Sequence, residues 1–340
     1  MTLDPARRPA PTLEAVAAAS GVSRSTVSRV VNGSPKVTVE AHTAVTAAIK
    51  KLGYIPNRAA RSLAGRRSMA IALVVPEDIT RFFGDPYFAA IVRGITTALE
   101  SSDYVLVLQL ASSSVPSDKT MNYLRGGNVD GALVVSHHSS DTGLSGLGEV
   151  LPVVFNGRPL AQTDPPCYFV DVDNAAGAAL ATQHLLDLGR RRIGIIAGPA
   201  DMPPGIDRTA GFTETLRKVG LAGELVVRGD FTQAGGANAM GRMLQLDPTL
   251  DAVFAASDLM ALGALDVLRD HGRSVPADVA LVGFDDSPAA INGSVRLSTV
   301  HQPAEQAGAI MTEMLLGLLR GDTVARERIL PTHLVLRDTA

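Results

Sequence analysis

Cysteine occurs once in this 340-residue chain, at Cys167, so no disulfide can form within it, and a lone thiol suits a reducing compartment. Long hydrophobic runs are missing too. No segment approaches the ~18 consecutive apolar residues that a membrane-spanning helix requires. Residues 1–11 (MTLDPARRPAP) lack the apolar core of a secretory signal. A cytoplasmic protein without a membrane partner is expected. Catalytic signatures are equally scarce: the chain has no GxSxG elbow, P-loop, dinucleotide fingerprint or clustered Cys/His ligands. Catalysis is therefore not expected, and neither a metal nor a cofactor is called for.

What is present is unevenly distributed. Residues 1–68 hold 11 Lys and Arg against 3 Asp and Glu, whereas the remainder holds 20 against 31. A basic head on an acidic body means that only the head is suited to a polyanion. The length allows two or three domains, and 46% hydrophobic residues can supply each with a core.

In the head, Thr12 can cap a first helix whose apolar positions Leu13, Val16 and Ala17 fall at helical spacing. Ala17, Ala18 and Ala19 leave room for a second helix to approach. Gly21 suits a left-handed turn, and Ser23 caps the second helix, which runs to Asn32–Gly33. At ~100° per residue, Arg24, Ser25, Ser28 and Arg29 gather on one face within about 140° of arc, and Val27 and Val30 point away. Two guanidiniums and two hydroxyls on an acid-free face suit base edges and phosphates in a DNA major groove. A third helix is marked by Val39, Val45, Ala48, Ile49 and Leu52. The next stretch, YIPNRAARSLAGRRS, can form a helix of only about seven residues, too short to be stable alone. The one large apolar residue of that short helix, Leu63, stands among Arg58, Arg61, Arg66 and Arg67. A segment that folds on DNA, with Leu63 wedged between base steps, accounts for both features.

From residue 70 onward, strand-like runs alternate with helical stretches. The first series is Ala70–Val75, Tyr104–Leu108, Gly131–Val135, Val153–Phe155 and Tyr168–Val170. The second is Ile193–Ala197, Leu225–Val227, Ala252–Ala255 and Val279–Phe284. Helices are expected over Tyr87–Glu100, Ala175–Leu188, Thr209–Val219 and Asp258–Asp270, with Pro303–Arg320 returning the chain to the first lobe. The pattern predicts an α/β body of two doubly wound parallel-sheet lobes with a cleft between them; one large sheet is the alternative.

Ligands of wound sheets bind beyond the carboxyl ends of strands. Those ends carry Ser136 and His137, Asn156 and Arg158, Asp171 and Asp173, Ser257 and Asp258, and Asp285 and Asp286. Phe231 follows ELVVRGD, and Arg208 in IDRTAGF lies just before a helix. Carboxylates, an amide, a guanidinium and a ring face together suit a polyol. Asp258 reads as an N-cap, Asp171 and Asp173 as strand terminators, and the His137–His138 pair as a solvated loop. Among the acids, Asp285 has the best claim, because GFDD closes a strongly apolar strand.

TLEAVAAASGVSRSTVSRVVNG followed by LGYIPNRAARSLAGRRS resembles the head and hinge of the LacI/GalR (lactose-repressor/galactose-repressor) family of transcription regulators. GDPYFAAIVRGI, HLLDLGRRRIGIIAGP, DRTAGF, ASDLMALGAL and VALVGFDD are similar to its effector-domain blocks, so the likeness spans nearly the whole chain. The resemblance implies an all-α, lambda-repressor-like helix-turn-helix head and a periplasmic-binding-protein-like body. It also implies that Arg24, Ser25 and Arg29 read a half-site, that Tyr54, Asn57, Arg58 and Ala60 anchor the hinge, and that paired Leu63 side chains open the central base step. Thr12, Ser23, Thr26 and Ser28 complete the DNA-facing set. For the effector pocket it implies Arg208, Phe231, Ser257 and Asp285, with Ser136 and Asn156, and Tyr87 and Phe88 in the first-lobe wall. The boundaries read as a flexible tail (1–11), a helix-turn-helix domain (12–56), a hinge helix (57–68) and an effector-binding and dimerisation body (69–340).

The function so implied is sequence-specific DNA binding by a repressor, acting as a homodimer on a pseudo-palindromic operator under control of a small sugar-like effector. The dimer expectation follows from the ending LVLRDTA, which has no leucine-heptad tail. A nucleoside or purine-type corepressor is the first alternative. A cytoplasmic sugar-binding protein without regulation is the second, from a different class. One departure from the family pattern stands out: TRFFGDPYF is longer than the usual strand-to-helix connection.

Overall fold

The computed structural model describes residues 11–31, 34, 36–54, 67–110, 118–139, 141–160, 167–293 and 295–340. Two compact units result, residues 1–69 and 70–340. The hinge residues Asn57, Arg58, Ala60 and Leu63 lie outside the described residues.

The head consists of α1 (Leu13–Ser20), α2 (Arg24–Val31) and α3 (Val39–Leu52). Each start is set by a hydroxyl cap: Thr12 accepts from Ala15 N–H at 3.3 Å, Ser23 from Thr26 N–H at 3.1 Å, and Thr38 from Ala41 N–H at 3.3 Å. Gly21 ends α1 at φ 69°, a left-handed conformation that only glycine adopts without strain. Val16, Val27, Val30, Val45, Ala48 and Tyr54 form the core. Two expectations need correction. Ala18 and Ala19 face solvent, because the helical period that buries Val16 turns them to the opposite side. Val39 is 78% exposed, since it occupies the first position of α3, beyond the reach of the core.

The body holds two six-stranded sheets rather than one. The first contains β1 (Ala70–Val75), β2 (Val105–Leu110), β3 (Gly131–Val134), β4 (Val153–Asn156), β5 (Tyr168–Val172) and β11 (Glu327–Leu330). Its order is β11-β5-β4-β3-β1-β2, and every pairing is parallel. The second contains β6 (Ile193–Ala197), β7 (Val226–Arg228), β8 (Ala252–Ala255), β9 (Ala280–Asp285), β10 (Ser298–His301) and β12 (His333–Val335). Its order is β12-β10-β9-β8-β6-β7, parallel apart from β12 against β10. All of AIALVV in β1 is buried, as expected of a parallel strand covered on both faces. Its alternate residues serve separate cores: Ile71, Leu73 and Val75 on one face, Ala70, Ala72 and Val74 on the other.

The helices doing this covering are α4 (Ile79–Gly84), α5 (Pro86–Leu99), α6 (Asp118–Arg125), α7 (Thr142–Ser145), α8 (Asn174–Asp187), α9 (Pro203–Lys218), α10 (Gln233–Leu246), α11 (Asp258–Asp270) and α12 (Ala304–Arg320). Three segments carry the chain between lobes: Val172 to Asn174, His301 to Ala304, and Leu330 to His333. After the second crossing, α12 packs on α5, β3 and β4 of the first lobe. The long connection TRFFGDPYF contains α4, capped by Asp78, whose carboxylate accepts the Thr80 and Arg81 N–H groups. Helix α9 begins six residues before the expected Thr209, at a Pro-Pro pair that suits a first helical turn. Arg208 is therefore inside a helix, not ahead of one.

Candidate functional site

A cleft lies between the two lobes of the body. All eight residues that the sequence assigned to a ligand line it: Tyr87, Phe88, Ser136, Asn156, Arg208, Phe231, Ser257 and Asp285. The first lobe supplies four. Asp85 caps α5 through Tyr87 N–H at 3.0 Å, and the Tyr87 hydroxyl then donates to the Asn156 side-chain oxygen at the end of β4. Ser136, just past β3, donates to Glu77 Oε1 at 2.6 Å. Phe88, on α5, closes the wall from below with 2% exposure.

The second lobe supplies the rest, with Arg208 at its centre. The Arg208 Nε donates to Asn174 Oδ1 at 2.8 Å, Nη1 to the Ala256 carbonyl at 2.6 Å, and Nη2 to Gln302 Oε1 at 3.4 Å. Its guanidinium lies 3.6 Å from the Phe284 ring centroid and 3.8 Å from Asp285 Oδ1. Asn174 and Gln302 sit on two of the three crossings, so one buried cation ties the cleft floor to the segments that join the lobes. Gln302 also donates to Asp285 Oδ1. Phe231 fits because residue 198 is glycine: a Cβ there would lie 2.2 Å from the ring. Three lining residues other than glycine hold positive φ, namely Ser136 (63°), Phe231 (65°) and Asp285 (122°). Backbone strain of this kind concentrates where a site must hold groups in fixed directions.

Burial sets the electrostatics. It pushes the Asp285 carboxyl well above the ordinary carboxylate range, with neighbouring Asp258 adding to the rise and Arg208 opposing it. Burial also raises Asp85 and Asp171. Asp258 reaches about 7, chiefly through burial. Asp258 is not the N-cap of α11: Ser257 is, accepting Met260 N–H at 3.3 Å, while Asp258 accepts from Ser287 N–H at 2.8 Å and the Thr299 hydroxyl at 2.5 Å. Asp173 caps α8 through Ala176 N–H at 2.9 Å, whereas Asp171 lines the cleft and accepts from Asn174 Nδ2 at 2.9 Å. The His137–His138 pair is no solvated loop. His137 is buried against Phe155 with Nε2 3.2 Å from the Arg158 carbonyl, and burial holds its pKa down to about 4. His138 bridges Glu77 and Asp201. Sequence reasoning passed over Arg81, Asp85, Asn174 and Gln302, all of which line the cleft.

The head presents its other chemistry outward. Arg24, Ser25 and Arg29 are exposed on α2, Ser28 and Thr26 are half-buried, and Val27 and Val30 are buried beneath them. The face is not free of acid, because Glu14 on α1 reaches Arg24 Nε at 3.2 Å. Ser23 Oγ lies 2.8 Å from Ser25 Oγ and 2.9 Å from Thr26 Oγ1, and exposed Thr12 caps α1. Tyr54 is packed into the head core.

A cationic helix-turn-helix attached to a two-lobed, cleft-bearing α/β body defines a class: DNA-binding regulators with a small-molecule domain. Residues 12–57 match the family described as bacterial regulatory proteins, lacI family, and residues 182–340 a periplasmic binding protein-like domain. The HTH-type transcriptional regulator CelR of Thermobifida fusca is 45% identical over 98% of this chain and 99% of its own. The ribose operon repressor of Halalkalibacterium halodurans is 33% identical over 96% of each chain. Among solved structures, a transcriptional regulator CelR–cellobiose complex aligns with TM-score 0.77 at 43% identity, covering 97% of this chain and all of that one. A lac repressor dimer bound to operator and the anti-inducer ONPF aligns with TM-score 0.83 at 28% identity, covering 96% and 98%. The protein belongs to the LacI family. It is a DNA-binding transcription regulator and not an enzyme.

Proposed function

We propose that the protein is a cytoplasmic repressor that binds a pseudo-palindromic operator as a homodimer and is controlled by a sugar held in the cleft. The observation that carries the reading is the meeting of Tyr87, Asn156, Arg208, Phe231 and Asp285 in one cavity whose floor is tied to two lobe crossings. A sugar touching both lobes stabilises one closure angle of the cleft. Arg208 passes that change to Asn174 and Gln302, and so to the lobe crossings. In the head, Arg24, Ser25 and Arg29 read a half-site, with Thr12, Ser23, Thr26 and Ser28 supporting them on the backbone. The segment 57–68 folds as a hinge on DNA, held by Asn57, Arg58 and Ala60, with Leu63 opening a base step. Effector and operator then oppose each other reciprocally, by about 1–3 kcal/mol.

Fluorescence anisotropy of a labelled operator, titrated with the protein at two salt concentrations and with cellobiose, ribose and other saccharides, tests this reading. Affinity falls as salt rises, and one saccharide releases the operator. DNA affinity indifferent to both salt and every saccharide would sink it. Leu63→Ala weakens operator binding far more than binding to random DNA; equal losses on both remove the wedge. A nucleoside effector is the second reading, favoured by the Phe231 ring, and nucleosides in the same titration decide between the two.

A further inference from the structure

Each cation that lines the cleft is already paired within the protein. Two guanidiniums, Arg81 and Arg208, face three carboxylates, Asp85, Asp171 and Asp285. Neither cation is available to a new anion. Arg81 comes from α4, the helix inserted into the first-lobe connection, and its Nη1 lies 3.0 Å from Glu77 Oε1. Glu77 is shared with His138, whose other ring nitrogen meets Asp201 at 2.8 Å. Arg208 pairs with Asp285 and gives its remaining hydrogen bonds to Asn174, Ala256 and Gln302. Arg158, next in sequence to the lining Gly157, is held by both oxygens of Asp207, at 3.1 and 2.6 Å. Asp85 and Asp171 accept only N–H groups. An entering ligand thus meets two carboxylates that form no salt bridge with a lining cation among the described residues.

Arg81 nevertheless has something to give. Its Nε is buried and has no hydrogen-bond partner among the described residues, and its guanidinium lies 5.6 Å from the Phe231 ring centroid across the cleft. A neutralised guanidinium with a spare N–H beside an aromatic ring is a donor for a hydroxyl oxygen, not a phosphate clamp.

We infer that the cleft selects an uncharged, polyhydroxylated ligand and rejects its phosphorylated counterpart, with Arg81 as the specificity-determining donor. The inference rests on the reading of the cleft as the effector site. Calorimetry on the full-length protein compares glucose, cellobiose and adenosine with glucose 6-phosphate, cellobiose 6-phosphate and AMP. A neutral compound binds, and its phosphorylated partner binds at least about tenfold more weakly, because like charges meet without water between them. A phosphorylated compound binding as tightly as its parent overturns the inference while leaving a sugar reading intact. Adenosine binding in place of a sugar does the reverse.

A second arm needs no cognate ligand. Glu77→Gln keeps the side-chain shape and frees Arg81, so inorganic phosphate at constant ionic strength raises the melting temperature of the variant and not that of the parent. Asp85→Asn, which keeps a capping residue on α5, shifts in the same direction. Equal stabilisation of parent and variants, or none in either variant, refutes the electrostatic basis.

Discussion

The head and the body keep their chemistry in opposite places. In the head, Arg24, Ser25 and Arg29 stand in water on the outside of a core of six buried residues. In the body, Arg208, Phe231 and Ser257 are 4%, 7% and 4% exposed. A duplex is larger than the head, so its reading groups must project from a rigid helix. A metabolite is smaller than the body, so its contacts must surround it. The energetic consequence differs. The Arg24–Glu14 pair is exposed at both ends and yields readily to a phosphate, whereas the cation in the cleft cannot lose its partners without unbalancing a buried network.

That contrast is sharpest when each unit is broken separately. Arg208→Ala removes the buried cation, leaves Asp285 and Gln302 without it, and destabilises the body by about 3–5 kcal/mol. Ligand binding is lost, yet the head keeps its affinity for DNA. Urea denaturation with calorimetry reads both, and an unchanged body stability would show that the network is incidental. Arg29→Ala in the head has the complementary outcome: the fold is retained and operator affinity drops by about 1–3 kcal/mol, with a smaller loss on random DNA. Circular dichroism and anisotropy together separate the two effects.

Smaller still is Ser23→Ala, which deletes the α2 cap and costs about 1 kcal/mol of head stability without moving the melting of the body. The last effect depends on pH. Hydrogen bonds to Glu77 and Asp201 raise His138 from 6.5 to about 9. The folded body therefore retains a proton that the unfolded chain releases. This contribution is whole below pH 6.5 and disappears as pH climbs through about 9. The melting temperature of the body declines across that interval, and His138→Gln flattens the decline. The shifted groups of the head, Glu14 and Glu40, are carboxyls held low by their own backbone N–H groups, so its melting stays level over the same range. A slope that persists in His138→Gln assigns the titration to another group.

Much of this architecture was legible in short stretches. The reading face of α2, the turn at Gly21 and strands β1, β6 and β8 follow from period and caps within a dozen residues. Errors arose where two local solutions compete. In SDLM, both Ser257 and Asp258 can cap; the extended Ser257 backbone, at φ −158°, won, and Asp258 turned inward to Thr299. The Pro203–Pro204 pair opens α9 six residues ahead of the expected Thr209, which put Arg208 inside the helix. A polar His-His pair reads as a loop, and only its packing against Phe155 and Asp201 buries it. Gln302 was invisible because β10 is four residues of mixed polarity with no strong signal of its own.

The order of amino acids alone determined the three head helices, strands β1 to β9, the split of charge between head and body, and the polar residues that end several of those strands, because caps and apolar periods act between near neighbours. Only the tertiary structure decided that Asn174, Arg208, Asp285 and Gln302 meet, since these residues are joined by two sheets and their crossings rather than by any local pattern. Tertiary packing also gave the buried Arg208 its partners, because a buried charge is tolerated only where the fold supplies them.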